Sequence, residues 1–301
     1  MLTREEFEHR DRLIKGLTED GHFKVSVVKT SDAVETARQK HELSLLNTVL
    51  LGRALTGTML MASELKGEER VQLRAEGDGP VGMVVAEANR VGEIRGYVQH
   101  PQVELDYTRD EAHLGEGLGL GLLTFSKTLY NESEPRRSTI ELVRGNITDD
   151  IAFYMVQSEQ VPSAVILDVG LNDDGSVSEA GGILIQRLPD APEGHIDQLQ
   201  ERLRDFGPLN EMFRKGLYID DIMEKAMEPM MVKELDRQPL DFFCRCTRKR
   251  FIGALSMLSY EELKEIDDGG QELVCHFCNE HYQVSPGEIE DILVQAKARM
   301  N

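Results

Sequence analysis

All four cysteines of this 301-residue chain lie near its C-terminal end, as two close pairs. Cys244 and Cys246 form a C-x-C pair, and Cys275 and Cys278 form a C-x-x-C pair after a spacer of 28 residues. Two close pairs joined by one loop can bring four soft thiolates into the tetrahedral geometry that Zn²⁺ prefers. The spacing therefore predicts one zinc ion per chain, with an all-thiolate iron–sulfur cluster as the main competitor.

Two histidines, His276 and His281, lie beside the second pair. Four thiolates already complete the shell of a structural zinc site, so we predict exposed surface histidines and not ligands. The cysteines are also confined to one terminal segment, whereas a disulfide scaffold would distribute them through the fold. This placement indicates metal or redox chemistry in a reducing, cytoplasmic compartment.

The small size of the cysteine-bearing domain makes its metal site a candidate redox switch. The core of a domain of about 65 residues rarely contributes more than about 3–5 kcal/mol. Zinc binding to four ligands contributes on the order of 10–16 kcal/mol. If oxidation joined the cysteines within each pair, each disulfide would close a very small ring and contribute only about 2 kcal/mol. We therefore expect oxidation to release zinc and to unfold this domain.

Four cations crowd the first cysteine pair: Arg245, Arg248, Lys249 and Arg250. Positive charge favours the thiolate, which is the form that reacts with peroxide. The same residues could equally form a nucleic-acid patch or a solvated helix end. The net charge of −20 weighs against nucleic acid as the main partner, because that affinity depends largely on basic groups.

Two capping boxes predict helices within the cysteine-bearing segment, Ser259 with Glu262 and Ser285 with Glu288. Proline suits the first position of a helix, where no amide hydrogen is needed. We therefore expect a last helix from Pro286 to about Arg299.

The first two-thirds of the chain predict a mixed α/β domain, because short apolar segments follow one another with turn residues between them. Such a pattern favours a mainly antiparallel sheet. The glycine-rich segment Leu114–Gly121 is followed by a strand pattern instead of a helix, so we predict a hairpin or bulge and not a nucleotide loop. Thr148 is expected to cap a helix. The predicted strands are Phe23–Val28, Val71–Ala75, Val81–Ala86, Glu93–Val98, Leu122–Ser126, Thr139–Val143, Ala164–Val169 and Gly182–Gln186.

The most apolar segment, Leu43–Ala62, is about long enough to span a bilayer. Asn47 and Arg53 lie near its middle, and a charge there costs about 2.5–3.5 kcal/mol even on lenient insertion scales. We therefore predict a buried helix and no membrane association. The polar, charged segment Met1–Arg12 also does not fit a secretory signal.

The chain is predicted to have an α+β organisation in three parts. Residues 1–182 form the N-terminal α+β core, residues 183–236 a metastable helical linker, and residues 237–301 the C-terminal zinc-binding domain. The linker is rich in methionine, whose flexible thioether suits binding to varied apolar surfaces. These side chains could instead pack the linker onto the N-terminal sheet. The linker methionines are Met212, Met223, Met227, Met230 and Met231.

Over nearly its whole length the chain resembles the redox-regulated 33-kilodalton heat-shock chaperone family of bacteria. The spacing of the two cysteine pairs falls within the pattern of that family. Three further segments carry the resemblance: Gly92–Val98 followed by Pro101, Tyr154–Ser163, and Gly181–Gln186 followed by Leu188-Pro189.

This resemblance implies an ATP-independent holdase that is inactive while its four thiolates hold zinc. Oxidants would join Cys275 to Cys278 first and release zinc. With heat or strong oxidant, the linker would unfold and Cys244 would join Cys246. The active form would be a homodimer that binds unfolding client proteins and later hands them over to ATP-dependent chaperones.

Two other functions remain open from the residues alone: a zinc-dependent nucleic-acid-binding protein and a thiol–disulfide oxidoreductase using the C-x-x-C pair. The oxidoreductase chemistry normally requires that pair beside a βαβ unit, with one exposed thiol of low pKa. Since the sequence contains no catalytic triad, carboxylate pair or cofactor loop above background, we predict no enzyme activity.

Overall fold

A computed structural model describes residues 10–106, 113–192, 194–266 and 270–299. Residues 1–9, which include most of the segment that does not fit a signal, lie outside the described part. The chain divides into two compact units, Met1–Phe243 and Cys244–Asn301. The domain limits at residues 182 and 236 stay predictions.

The first unit contains two sheets and six α-helices among the described residues. Its strands are β1 (Arg12–Thr18), β2 (Phe23–Lys29), β3 (Arg70–Gly77), β4 (Met83–Asn89), β5 (Glu93–Val98), β6 (Gly121–Thr128), β7 (Arg136–Glu141), β8 (Ser163–Leu171), β9 (Val177–Arg187), β10 (Val232–Pro239) and β11 (Asp241–Phe242). Its helices are α1 (Ser31–His41), α2 (Leu45–Ala62), α3 (Thr148–Gln157), α4 (His195–Arg204), α5 (Leu209–Arg214) and α6 (Ile219–Met227).

The two sheets are mainly antiparallel, as predicted. The five-stranded sheet has the order β10-β1-β2-β9-β8, and every neighbouring pair in it is antiparallel. The six-stranded sheet has the order β11-β5-β4-β3-β6-β7, and only the two-residue strand β11 pairs in parallel. The α+β fold class predicted from the sequence is therefore confirmed.

Helix α2 is the centre of the larger hydrophobic core and contacts strands of both sheets. It is long and apolar enough to cross a membrane, but 83% of it is buried inside this unit. The Ser44 hydroxyl caps the helix by accepting a hydrogen bond from the Asn47 N–H. The buried Asn47 amide in turn donates to the carbonyl oxygens of His100, Pro101 and Val103. The predicted buried helix is confirmed, and carbonyl groups of the chain that covers it accept the hydrogen bonds of the Asn47 amide N–H₂ group.

Helices α4, α5 and α6 pack on the other face of the five-stranded sheet and form a second core there. Buried sheet residues such as Val25 and Ile183 contact apolar residues of these helices. Met212, Met223 and Met227 are buried in this core, as one of the two sequence interpretations expected. Met230 is half-buried, and Met231 is 68% exposed.

The segment predicted as a helical linker also contains strand structure. It begins inside β9 and ends inside β10, which pairs with β1 at the edge of the five-stranded sheet. Neither β1 nor β10 was predicted. The strand β10 carries closely spaced charged residues, for example Lys233, Glu234 and Asp236, which obscure the alternating apolar pattern of a strand.

Two local predictions in the first unit are wrong. The segment Leu114–Gly117 is a short 3₁₀-helix leading towards β6, and not a hairpin or bulge. Ile147, and not Thr148, is the N-cap residue of α3. The buried Asp150 carboxylate explains the difference, because it satisfies the backbone before the helix. It accepts hydrogen bonds from the backbone N–H groups of Val143, Arg144, Gly145 and Ile147.

The second unit contains a hairpin and three helices among its described residues. Its elements are α7 (Arg248–Leu255), α8 (Tyr260–Lys264), β12 (Gln271–Val274), β13 (His281–Val284) and α9 (Pro286–Arg299). Ser259 and Glu262 form the predicted capping box, and α9 has the predicted limits. A small core of Leu263, Ile292 and Ala296 joins α8 to α9.

Candidate metal centre

The four cysteines are presented by two different local structures of the second unit. Cys244 and Cys246 lie in an extended segment before α7, which the Thr247 hydroxyl caps by accepting a hydrogen bond from the Arg250 N–H. Cys275 and Cys278 lie in the turn of the β12–β13 hairpin. The turn closes through hydrogen bonds from the Cys278 and Asn279 N–H groups to the Cys275 carbonyl, at 3.3 and 2.7 Å.

The sulfur atoms of the four cysteines converge, and all lie within 4.8 Å of one another. The Sγ atoms of Cys244 and Cys275 are 3.7 Å apart, and those of Cys246 and Cys278 are 3.3 Å apart. All four are free thiols. A tetrahedral ion with Zn–S distances of about 2.3 Å places neighbouring sulfurs about 3.8 Å apart. The donor set and its spacing therefore fit a single zinc ion.

The same distances disfavour the iron–sulfur alternative. A multi-atom cluster has to fit between the sulfurs that bind it, and four sulfurs that all lie within 4.8 Å of one another fit around a single ion instead. The two histidines take no part in this group. His276 is exposed, and the His281 ring lies 3.3 Å from the Glu272 carboxylate. The prediction that both are surface residues is confirmed.

Burial raises the pKa of the Cys275 thiol above its ordinary value. Burial and, second, the neighbouring Cys246 thiol raise the pKa of Cys278. Four thiols packed this closely cannot all ionise unless a cation compensates their charge. A divalent ion supplies that charge, and it deprotonates the thiols that coordinate it.

Two of the basic residues near the first pair, Arg248 and Arg250, donate hydrogen bonds to groups within the unit. The Arg248 guanidinium donates to both carboxylate oxygens of Glu288 at 2.7 Å and to the Gln283 carbonyl at 3.0 Å. Arg250 donates to the Arg245 carbonyl at 2.8 Å. Glu288 therefore neutralises part of the expected positive patch. That these cations favour the thiolate form of the first pair stays a prediction.

Sequence reasoning missed one residue of the site, Tyr282 on β13. Its hydroxyl lies 3.2 Å from the Cys246 sulfur, and its ring packs on Phe251 with centroids 5.2 Å apart. The hydrogen bond with Cys246 raises the pKa of the Tyr282 hydroxyl. Pairing of Tyr282 with Leu273 in the hairpin register places it next to the cysteine turn. Only the hairpin itself could have revealed this position from the sequence.

The fold and the site together define a class of protein: an α+β unit followed by a small unit with a four-thiol centre. The family model described as "Hsp33 protein" matches residues 11–285. The chain belongs to this family of chaperones.

Relatives and a solved structure agree with that assignment. The "33 kDa chaperonin" of Desulforamulus reducens is 36% identical over 287 residues, which cover 94% of this chain and 97% of the relative. That of Thermus thermophilus is 37% identical over 301 residues, covering 95% and 87% of the two chains. The crystal structure of the Thermotoga maritima 33 kDa chaperonin has a TM-score of 0.89 and 30% identity, covering 96% of this chain and 100% of that chain.

Proposed function

We propose that this chaperone is a redox-regulated, ATP-independent holdase. The convergence of four free thiols in the second unit carries the proposal. In the reduced form Cys244, Cys246, Cys275 and Cys278 would hold one Zn²⁺, which supplies a structural cross-link. This form is inactive. The cysteines have no catalytic role, and the protein is not an enzyme.

Oxidation would remove the ligands from the metal. Each disulfide forms when two thiolates give up two electrons, and peroxide accepts these with two protons to yield two water molecules. We propose that Cys275 joins Cys278 first and that Cys244 then joins Cys246, as the family resemblance implies. Close sulfur–sulfur contacts run between the pairs, at 3.3 and 3.7 Å. Disulfide formation within each pair would break these contacts, because it brings the two sulfurs of one pair to about 2.05 Å.

Conversion of the thiols to disulfides removes the zinc ion, which is the main cross-link of the second unit. Two very small disulfide rings contribute only about 2 kcal/mol each, against about 10–16 kcal/mol for zinc. We propose that, with heat or strong oxidant, unfolding of this unit also loosens residues 183–236. Release of α4, α5 and α6 would expose the apolar sheet residues they cover, together with Met212, Met223 and Met227. Thioether side chains adapt to varied apolar partners, which suits the binding of unfolding clients.

The active protein is proposed to be a homodimer in the cytoplasm that later hands its clients to ATP-dependent chaperones. Two alternatives have less support. A thiol–disulfide oxidoreductase requires an exposed thiol of low pKa, whereas Cys275 and Cys278 are buried and their pKa values are raised. A nucleic-acid-binding function requires a basic patch that is free of carboxylates, whereas Arg248 is paired with Glu288.

Light scattering of a heat-unfolding client protein tests the proposal. Reduced, zinc-loaded protein should leave aggregation unchanged, and peroxide-treated protein should suppress it without ATP. Treatment of the oxidised protein with a thiol reductant and zinc should reverse the effect. Equal suppression by the reduced and oxidised forms would refute the switch.

A further inference from the structure

The Tyr282 hydroxyl contacts the metal centre without being one of its four sulfur donors. It lies 3.2 Å from the Cys246 sulfur. A thiolate bound to a cation has no proton to give, so the phenolic O–H must be the donor and the sulfur the acceptor. Such a charge-assisted hydrogen bond is stronger than one between neutral groups.

The position of Tyr282 is fixed by its surroundings. The ring stacks against Phe251 of α7 at 5.2 Å, tilted by 37°. The backbone is held opposite Leu273 in the β12–β13 ladder. These contacts hold the hydroxyl in place through the ring and the backbone, so neither depends on the hydrogen bond to the sulfur.

Cys246 differs from Cys275 and Cys278 in the source of its hydrogen bond. Cys275 accepts backbone N–H bonds from Phe277 and Cys278, and Cys278 accepts one from Glu280. These bonds come with the C-x-x-C turn itself. Cys246 lies outside that turn, and a side chain from the opposite hairpin supplies its donor.

We propose that Tyr282 is a positioning residue of the metal centre that restrains the reactivity of Cys246. Its hydrogen bond withdraws electron density from the Cys246 thiolate and compensates part of the negative charge of a four-thiolate zinc site. The lower electron density opposes attack of this sulfur on peroxide, and the charge compensation favours retention of the metal. The hydroxyl thereby helps to delay oxidation of the C-x-C pair. This inference rests on the proposed function and adds a residue that slows its second oxidation step.

Tyr282→Phe removes the hydroxyl and keeps the ring against Phe251. Outer-shell partners of metal ligands typically contribute about 10–100-fold to metal affinity. We therefore expect Tyr282→Phe to weaken zinc binding about tenfold in competition with a chromogenic chelator. With Co²⁺ as probe, the thiolate-to-cobalt charge-transfer band should move to longer wavelength, because the unbonded thiolate is a better electron donor.

Mass spectrometry after limited peroxide and alkylation measures the reactivity of each cysteine. Tyr282→Phe should increase the oxidised fraction of Cys246 relative to that of Cys275. Tyr260→Phe is the matched control: its half-buried ring lies 4.8 Å from the Lys264 ammonium and is not a part of the cysteine group. This control should leave all three readouts unchanged.

The outcomes separate the inference from the proposed function. If the wild-type protein binds neither zinc nor cobalt, the proposed function fails. If the wild type binds both, and Tyr282→Phe matches it in affinity, cobalt spectrum and Cys246 oxidation, the inference alone is overturned.

Discussion

Removal of zinc under reducing conditions should unfold the second unit and leave the first unit folded. Among the described residues of the second unit, four aliphatic side chains larger than alanine are buried. These are Leu263, Val284, Ile289 and Ile292. A unit of this size rarely obtains more than about 3–5 kcal/mol from its core. Zinc binding contributes about 10 kcal/mol, at least twice the core's upper limit, so most of the stability of the unit is lost with the ion, as in small zinc domains that are unfolded without metal.

Hydrogen exchange followed by mass spectrometry is the assay, with a chelator and a phosphine reductant present throughout. Amides of β12, β13 and α9 should lose their protection after zinc removal. Amides of β2 and β9 should keep theirs, because these strands lie inside the five-stranded sheet of the first unit. A sample with zinc restored is the control and should recover protection.

The alternative result is clear. If the β12–β13 hairpin and α9 stay protected after complete zinc removal, the second unit is stable on its own core. The energetic argument for the switch would then be wrong, even if the four cysteines bind zinc.

Three further predictions concern the first unit. Asp150→Asn should lower the free energy of unfolding, measured in urea, by about 3 kcal/mol, because the buried carboxylate accepts four backbone hydrogen bonds. Asp149→Asn, at an exposed position, is the control, and equal effects of the two substitutions would contradict this account. Burial raises the pKa of Asp11 to about 7 from 3.8, so the folded state binds the Asp11 proton more tightly than the unfolded state does. Protonation of Asp11 therefore stabilises the fold fully below pH 4, and this stabilisation is lost as the pH rises to 7. Asp11→Asn should reduce the difference in free energy of unfolding between about pH 5 and about pH 8 in urea, and an unchanged difference would refute the assignment. Gly92→Ala should detach β11 from the sheet, since Gly92 has φ +88° and an added Cβ would lie 2.1 Å from the Pro239 carbonyl oxygen. The Asp241 N–H donates to the Gly92 carbonyl, so its hydrogen exchange should become faster, and an unchanged exchange rate would contradict the prediction.

The metal centre could be predicted because it depends on spacing along the chain. Two cysteine pairs suffice to predict four converging thiols, and the structure brings Cys244, Cys246, Cys275 and Cys278 together. Tyr282 could not be predicted in the same way. Its role depends on how the β12–β13 hairpin faces the first pair, and a tyrosine four residues after a C-x-x-C pair carries no signal of its own.

The fold was predictable where periodicity is strong and local. The strands β3, β5 and β8 alternate or are continuously apolar, and α2 is a long apolar segment with a serine cap. The strand β10 escaped prediction because its pairing with β1 is remote in sequence; Lys15, for example, pairs with Asp236. It lies at the edge of the sheet, where charged side chains such as Asp236 hide the strand pattern.

The N-cap of α3 shows a second limit of local reasoning. Thr148 followed by two aspartates has the expected composition of a helix start. The helix begins one residue earlier, because the Asp150 carboxylate turns back to the preceding loop. The hydrogen bonds of Asp150 with the preceding loop therefore select Ile147 as the N-cap, a choice that the local sequence alone does not distinguish from Thr148.

A single oxidation time course tests the central claim most directly. Zinc release, loss of free thiols and suppression of client aggregation are measured together on one sample of reduced, zinc-loaded protein after addition of peroxide. The account predicts that one zinc per chain is released as thiols are lost, and that client protection does not precede zinc release. Client protection that is complete before zinc leaves, or that stays absent after all four thiols are oxidised, would contradict it.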